Sequence, residues 1–344
     1  MGGVLQADRH LDRWQNTLNQ LYRSPRFQRF LVDRIDTPEG RETRVKEALA
    51  IELGFLGYSM RGYAESWRRT IDKHVEAGVY RRVLEFGRLD ADNELLVDIC
   101  CGCAGFLAER GKQHAIGIDI NPYALEFGAQ LLASRGMDAK LFAETDIYVN
   151  PERGIVLEPI PVFEEIDLRK LTLLCDDLDN LHNLMRALYM QGRLADSAVF
   201  MLQGGKEVAR KVEFIADAQP EEAPNPLGMI PTVLKNARKF CRVGGRLIIG
   251  IRVLNIENET IEFPDLGVAL HSSTKEIDAC AEENRYEIRK KEKTTLPRED
   301  GENGSISLSL VGVGGTEPLM RKEVEEEIKR RVGAAMLLYE LVIK

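Results

Sequence analysis

The sequence lacks any apolar run that approaches the roughly 20 residues a helix needs to cross a lipid bilayer. Its most apolar stretch, residues 332–343 near the end, is short and carries Glu340. Residues 1–9 lack a basic segment followed by an apolar one, so no signal peptide is expected. We therefore expect a cytoplasmic protein with no membrane partner.

Cysteine is also scarce, with six in 344 residues and three of them at Cys100, Cys101 and Cys103. This count and clustering do not resemble a secreted disulfide framework, and they favour a reducing compartment. The cluster lacks the second, distant pair of ligands that makes a zinc site convincing. We expect no bound metal, and we interpret the three cysteines as small, buried side chains at a tight turn.

Positive charge is in short supply, because 47 Lys and Arg residues face 55 Asp and Glu residues, a formal net charge of −8. Nucleic-acid affinity depends largely on Lys and Arg neutralising phosphates, so a nucleic-acid partner is not favoured. An arginine-rich stretch at residues 23–34 is soon interleaved with acids and is typical of a solvated helix face. The 44% hydrophobic content is nonetheless ample for a large core.

The organisation changes near Asp90. Residues 1–90 carry apolar side chains at the 3.6-residue period, for example Leu11, Trp14 and Leu18, which predicts an N-terminal helical cover. Residues 91–315 are predicted to form an α/β core, within which residues 147–168, with three prolines, are predicted to be an insertion. Residues 316–344 are predicted to form a C-terminal helix, Glu317 to Arg331, and a tail.

Short apolar runs of strand length recur through the predicted core, separated by segments of helical composition. They are Leu95–Ile99, Ala115–Ile120, Ala139–Ala143, Leu171–Leu174, Ala198–Leu202 and Arg246–Val253. This alternation predicts a doubly wound, mostly parallel sheet of seven strands. Either 139–143 or 171–174 could be the third core strand, and we favour the second. Tyr286–Lys293 and Ser305–Val313 are predicted to complete the sheet as an antiparallel hairpin.

The most informative segment runs Leu96-Val97-Asp98-Ile99-Cys100-Cys101-Gly102-Cys103-Ala104-Gly105, followed by Gly117-Ile118-Asp119-Ile120-Asn121. It resembles the first motifs of class I S-adenosylmethionine-dependent methyltransferases. In that family one acid ends the first strand, a loop of small residues bends under the cofactor, and a second acid holds the ribose hydroxyls. The resemblance covers residues 95 to 255, and its specific part is the first 30 of these.

The resemblance implies S-adenosylmethionine as cofactor, held by Asp98, Cys100, Gly102, Ala104, Asp119 and Ile120. Asp98 matches the first acid and Asp119 the ribose acid. Cys100 departs from the family pattern, because it stands where a glycine is usual and glycine serves positions with φ above zero. Asp119 could instead cap the following helix, but Asn121 already suits that role.

A dinucleotide-binding loop is the rival interpretation, since Cys100, Gly102 and Gly105 fall on the three glycine positions of G-x-G-x-x-G. Its first glycine would be missing. Asp98 would also lie beside a pyrophosphate, where like charge is unfavourable. S-adenosylmethionine brings an ammonium and a sulfonium, for which a nearby carboxylate is an advantage.

A second polar cluster follows Leu171–Leu174. In the resembling family an acid after the third strand bonds the adenine amino group, which implies that role for Asp176 or Asp177. If that strand were instead the fourth, His182 and Asn183 could orient a nucleophile, although His182 is equally well an ordinary helix residue. Low-specificity candidates for the acceptor pocket are Tyr63, Trp67 and Gln203.

Together these observations predict a methyltransferase acting on a small-molecule acceptor beneath the N-terminal helices. Methyl transfer from a sulfonium mainly needs alignment, so a general base is required only for a protonated nucleophile. An RNA or protein methyltransferase, an aminocarboxypropyl transferase and a binding protein without turnover stay open, as does assembly into a homo-oligomer.

Overall fold

The computed structural model describes residues 59–150, 154–201, 212–214, 229–254, 260–265, 268–271, 274–295 and 334–344, together with Glu327 and Arg331. The described helices are α1 Ser59–Glu76, α2 Val79–Gly87, α3 Gly105–Arg110, α4 Pro122–Ser134, α5 His182–Met190, α6 Ile230–Phe240 and α7 Thr274–Glu283. The described strands up to residue 201 are β1 Leu96–Ile99, β2 Ala115–Asp119, β3 Ala139–Phe142, β4 Thr145–Asn150, β5 Gly154–Pro159, β6 Leu171–Cys175 and β7 Ala195–Met201. The others are β8 Val212–Phe214, β9 Cys241–Leu254, β10 Thr260–Phe263, β11 Val268–His271, β12 Tyr286–Thr295 and β13 Ala334–Ile343.

The described residues form a central eight-stranded sheet in the order β12-β13-β9-β7-β1-β2-β6-β3. The six strands β9, β7, β1, β2, β6 and β3 of this sheet run parallel to their neighbours. Strand β13 is antiparallel to both β9 and β12. The inner order β6-β2-β1-β7-β9 is that of a doubly wound sheet with its reversal of strand order at β1. The predicted α/β class and mostly parallel sheet are therefore confirmed.

The strand count exceeds the predicted seven because both candidates for the third strand belong to the sheet. Strand β6, the favoured candidate, lies beside β2, and β3 pairs with the outer edge of β6. The sequence could not distinguish the two, since each is a short apolar run between turns. The choice depends on which one pairs with β2.

The described antiparallel partner of β12 is β13, a strand that the sequence analysis did not predict. It pairs with β12 from Tyr286 opposite Ile343 to Thr295 opposite Ala335. The segment Ser305–Val313, predicted to form a hairpin with β12, lies outside the described residues. The apolar end of the chain is thus a strand of the central sheet rather than a tail. It lies between β9 and β12, and this burial explains why its sequence is apolar almost without a break.

Side chains alternate between two apolar cores along β1, one on each face of the sheet. Leu95, Val97 and Ile99 pack against α5, α6 and α7, and Leu96 packs on the opposite face with α1 to α4. In the N-terminal segment α1 and α2 are separated by a turn at Ala77 and Gly78, and residues 1–58 lie outside the description, so the N-terminal helical cover stays a prediction.

Two smaller sheets extend from the central one. A hairpin of the antiparallel strands β4 and β5 overlaps the predicted insertion and begins two residues before it, between β3 and β6 along the chain. A three-stranded accessory sheet, in the order β10-β11-β8, draws its strands from the segments that follow β7 and β9. No helix in the described ranges has both the length and the apolar character needed to span a membrane.

Candidate functional site

The loop that leaves β1 winds through alternating left-handed residues. Cys100, Gly102 and Ala104 have φ of 57°, 52° and 55°, and Ala104 is the N-cap of α3. For a residue other than glycine this conformation costs roughly 1–2 kcal/mol. Cys100 therefore has the backbone conformation that a glycine would adopt, so the departure from the family motif does not change the course of the loop.

Close packing around this loop explains its small residues. A Cβ added to Gly128 of α4 would lie 3.0 Å from Ala104 Cβ and 3.1 Å from the carbonyl carbon of Cys103. A Cβ added to Gly117 of β2 would lie 2.8 Å from Cys101 Sγ. Because real Cβ atoms do not approach neighbours so closely, these glycines let the loop lie tightly against α4 and β2.

Asp119, at the carboxyl end of β2, is held by the main chain of the same loop. Its Oδ2 accepts a hydrogen bond from the Gly102 N–H at 2.8 Å, and its Oδ1 accepts one from the Asn121 N–H at 2.8 Å. Burial raises the pKa of Asp119, and these N–H groups together with that of Ile120 partly oppose the rise. The side chain stays partly exposed, as does Ile120, so each oxygen keeps acceptor capacity toward a ligand.

The following helix does not use Asp119 as its cap. Asn121 is the N-cap of α4, and its side-chain oxygen accepts from the N–H groups of Tyr123 and Ala124 at 3.1 and 3.3 Å. Pro122 takes the first helical position, where its missing N–H costs nothing. This is the cap expected from the sequence, and it leaves Asp119 available for a ligand.

Asp98 lies in β1, one residue before its end, and is only 3% exposed. Among the described residues no group donates a hydrogen bond to its Oδ2. Burial, with the negative charge of nearby Asp119, raises the pKa of Asp98 well above its usual range. A buried acceptor without a donor is costly, so a donor or cation brought by a ligand would be favourable there.

Two thiols of the loop lie in surroundings that disfavour their thiolate form. Burial raises the pKa of Cys103 to about 12 and that of Cys101 well above its usual range. Cys103 Sγ donates to the Ala64 carbonyl of α1 at 3.4 Å, and Cys175 Sγ donates to the Ile120 carbonyl at 3.5 Å. Across the described part of the chain, no group of three His, Cys, Asp or Glu residues is arranged to hold a metal ion.

The polar side chains of the cluster after β6 make most of their hydrogen bonds to main-chain groups of the same chain. Asp176 is buried, and its Oδ2 accepts from the Leu184 N–H in the first turn of α5 at 2.8 Å. Both amide hydrogens of Asn183 are donated to main-chain carbonyls, those of Ile160 and Cys175, at 3.1 and 3.0 Å. The Asn183 Oδ1 accepts from the Val162 N–H at 2.8 Å. Asn183 thus ties the end of the insertion to β6 and has no N–H left for an acceptor.

The remaining candidate site residues differ in exposure and in position along the chain. His182 is exposed at the start of α5, and Asp177 is half-buried, with its Oδ1 accepting from the Asp179 N–H at 3.0 Å. Tyr63 belongs to α1, and Gln203 lies outside the described residues. The site thus brings together Asp98, Cys100, Gly102, Ala104 and Asp119, and of the predicted acceptor residues Trp67 lies against its loop.

Trp67 lies against the loop. Its Nε1 is 2.8 Å from where a Cβ on Gly102 would stand, and its ring meets that of His74 edge-on at 5.4 Å. Tyr80 continues this aromatic row, since its hydroxyl lies 2.8 Å from where a Cβ on Gly105 would be. Sequence reasoning named Trp67 as a candidate for the acceptor pocket and missed its contact with the loop. Glycines at 102 and 105 accommodate the rings.

Comparisons with known proteins found only distant similarity, and only to solved structures. No family model and no curated protein matches the chain. Among solved structures, a geranyl diphosphate methyltransferase in complex with SAM is 12% identical, with 79% of this chain and 87% of that one covered and a TM-score of 0.42. The Streptomyces coelicolor A3(2) geranyl diphosphate C-methyltransferase, with S-adenosyl-L-homocysteine, is 12% identical over 79% and 80% of the chains, with a TM-score of 0.40. The Synechocystis PCC 6803 magnesium protoporphyrin IX methyltransferase with bound SAM is 12% identical over 80% and 79%, with a TM-score of 0.36. At these TM-scores we draw no functional inference from them.

Proposed function

We propose that the chain binds S-adenosylmethionine at the carboxyl ends of β1 and β2 and transfers its methyl group to a small-molecule acceptor. The observation that carries this proposal is the buried Oδ2 of Asp98, which lacks a donor among the described residues. It lies beside a loop whose path is left-handed at three alternating positions. A cationic ligand would supply what this carboxyl group lacks.

The cofactor contacts follow from the same geometry. Asp119 keeps acceptor capacity beside the hydrogen bonds from Gly102 and Asn121, which suits a pair of ribose hydroxyls. We assign Asp98 to the ammonium end of the cofactor, because its buried oxygen lacks a donor among the described residues. Asp177, half-buried after β6, is the acid left to bond an adenine amino group, because the Asp176 carboxylate serves the start of α5.

Bound S-adenosylmethionine supplies an electrophilic methyl group: the S–CH3 bond breaks with its electron pair leaving on sulfur as the nucleophile forms the new bond to carbon. The protein's part is to hold the donor rigidly, and alignment alone can supply much of the rate. The loop from Cys100 to Ala104, pressed between α4 and Trp67, provides that rigidity. A proton on the acceptor, where there is one, leaves to solvent or to a base.

A dinucleotide enzyme is the second candidate, and two observations weigh against it. Asp98 would lie beside a pyrophosphate, where like charge is unfavourable. The doubly wound dinucleotide fold also continues its order 3-2-1-4-5 with a sixth strand beside the fifth. Here the antiparallel β13 lies beside β9.

A small-molecule acceptor is favoured over RNA by the net charge of −8. We place the protein in a reducing compartment such as the cytoplasm, because its six cysteines, all within the described ranges, are free thiols. Transfer of the aminocarboxypropyl group is the alternative use of the cofactor. Product analysis separates them, since methyl transfer yields S-adenosylhomocysteine and the alternative yields methylthioadenosine.

The test is calorimetry of the purified full chain with S-adenosylmethionine and with NAD, alongside mass spectrometry of ligands that copurify. We expect binding of the sulfonium compound and none of NAD. Asp98→Asn should weaken this binding, because the cation loses its counter-charge. Asp138→Asn, at an exposed acid before β3, is the matched control. Preferential binding of NAD, or equal affinity in the wild type and Asp98→Asn, would overturn the proposal.

A further inference from the structure

The carboxyl group of Asp98 is buried beside main chain that is already engaged in the sheet. Asp98 is 3% exposed, and in β1 it pairs with Gly117 of β2 on one side and with Val199 of β7 on the other. The N–H groups of strands at the centre of a sheet serve its ladder of hydrogen bonds. In keeping with this, no group among the described residues donates to the Oδ2 of Asp98.

Main-chain donors at this edge of the sheet serve Asp119 instead. Its two oxygens accept from the N–H groups of Gly102 and Asn121, each at 2.8 Å. Hydrogen bonds donated to a carboxylate favour its charged form. The two acids therefore lie in unlike surroundings, because Asp119 has donors that favour its charge and the Oδ2 of Asp98 has none among the described residues.

The charge that acts on Asp98 is also unfavourable to a carboxylate. It is the negative charge of Asp119, on the neighbouring strand β2, and no basic group in the described ranges offsets it. The loop adds the buried thiol of Cys101, and the exposed Arg68 of α1 acts electrostatically on Cys103. The helices on this face of the sheet carry further buried ionisable side chains, namely His74 of α1, Tyr80 of α2, Arg110 of α3, and Tyr123 and Glu126 of α4.

These surroundings favour the neutral acid as long as the site is empty. A carboxylate buried without a donor and beside a like charge is costly. Burial, with the charge of Asp119, accordingly raises the pKa of Asp98 well above its usual range. An ammonium group brings three N–H donors and a positive charge, which are the two things that the carboxylate form lacks here.

We propose that Asp98 is a neutral carboxylic acid in the free protein and that the ammonium group of the bound cofactor displaces its proton. The O–H bond of Asp98 breaks, the proton passes to the solvent, and the carboxylate pairs with the ammonium group. Cofactor binding is thereby coupled to proton release, and the empty site does not bury an uncompensated charge. This inference rests on the proposed function, because it presumes that the ammonium end of the cofactor lies at Asp98.

The first test counts protons by calorimetry of the full chain with S-adenosylmethionine, in pairs of buffers that differ in protonation enthalpy. The pH is kept between about 5 and 7, because the α-amino group of the ligand has an ordinary pKa of about 7.7–8.0 and stays charged there. About one proton should leave for each bound ligand, and the affinity should rise by up to about tenfold per pH unit.

Matched controls connect the released proton to Asp98 and to the ammonium group. Asp98→Asn has no proton to release, so its affinity should be lower than that of the wild type and independent of pH in this range. Asp138→Asn, at an exposed acid, should behave as the wild type does. Methylthioadenosine lacks the ammonium group and should bind to the wild type without releasing a proton.

A second measurement observes the acid directly in the free protein. Infrared spectra are compared at about pH 5.5, well above the ordinary Asp pKa of about 3.9. The wild-type spectrum minus that of Asp98→Asn should contain the C=O band of a protonated carboxylic acid, and addition of S-adenosylmethionine to the wild type should remove this band. In Asp119→Asn the band should vanish at lower pH than in the wild type, because the like charge is gone.

The outcomes separate this inference from the proposed function. Absence of S-adenosylmethionine binding in the wild type would defeat the proposed function itself. Binding without proton release, release that persists in Asp98→Asn, or the lack of an acid band in the difference spectrum would overturn the inference about Asp98 alone.

Discussion

Two polar clusters follow strands of the same sheet, and they differ in how they use their hydrogen-bonding capacity. After β6, Asp176 and Asn183 bond main-chain groups of α5, β6 and the insertion. At the ends of β1 and β2, Asp98 keeps an oxygen without a donor among the described residues, and Asp119 stays partly exposed. Acids at strand ends are thus of two kinds, those that stabilise the fold and those left for a ligand. The difference is visible only in their partners.

The largest effect should come from Asn183→Ala, which tests the structural side of this comparison. Three main-chain groups lose their partner, and each buried unsatisfied group costs roughly 1–3 kcal/mol. The free energy of unfolding, measured by urea denaturation, should fall by about 3 kcal/mol or more. The affinity of the folded variant for S-adenosylmethionine should stay within about twofold. Asn180→Ala, at an exposed neighbour, is the control, and a normal stability with lost affinity would make Asn183 a ligand residue.

A pH dependence of similar size is expected from Asp176. Burial raises its folded-state pKa to about 6 from the ordinary 3.8. Between these values the folded state binds more protons than the unfolded state. The free energy of unfolding should therefore fall by about 3 kcal/mol as pH rises from about 4 to about 6, and this contribution should then level off. Asp176→Asn removes the titrating group, so the wild-type profile minus the variant profile isolates this slope. A difference that rises with pH would show that the main-chain N–H groups dominate instead.

On the ligand side, Asp119→Ala should weaken S-adenosylmethionine binding tenfold to a hundredfold. A hydrogen bond to a charged group is worth roughly 1.5–3 kcal/mol, which corresponds to this range of dissociation constants. Calorimetry at constant pH measures the change, and circular dichroism checks that the variant is folded. Asp138→Ala serves as the comparison at an exposed acid. Unchanged affinity in Asp119→Ala would remove this residue from the site.

The smallest effect concerns Asp177. Its contacts assign it neither to the acids that stabilise the fold nor to those left for a ligand. It is half-buried, and one oxygen accepts from the Asp179 N–H. A bond to the adenine amino group in partial contact with water is worth about 1 kcal/mol, so Asp177→Ala should weaken the cofactor about fivefold. S-adenosylmethionine and its inosine analogue, which lacks that amino group, should bind the variant equally. A preserved preference for the adenine compound would assign Asp177 to the structural class.

Much of the fold follows from local pattern. The runs that became β1, β2, β6, β7 and β9 are apolar and of strand length, because both faces of a parallel sheet are buried. The cap at Asn121 and Pro122 was also predictable, since its hydrogen bonds are made within three residues. Strand β13 was misassigned as a tail because its partner β9 is about 90 residues away along the chain.

The sequence by itself determined the elements whose causes lie within a few residues: the apolar strands, the helix cap, and the loop of small residues between two acids. The tertiary structure decided which strands became neighbours and that segments after β7 and β9 share one accessory sheet. It also decided which acids have unused oxygens. Asp176 finds its donor eight residues away, and Asn183 reaches back to Ile160. Asp98 meets no donor for its Oδ2 among the described residues. The physical reason is that a carboxyl group's partners are set by whichever main-chain groups the fold brings within 3 Å, and local sequence does not encode that proximity.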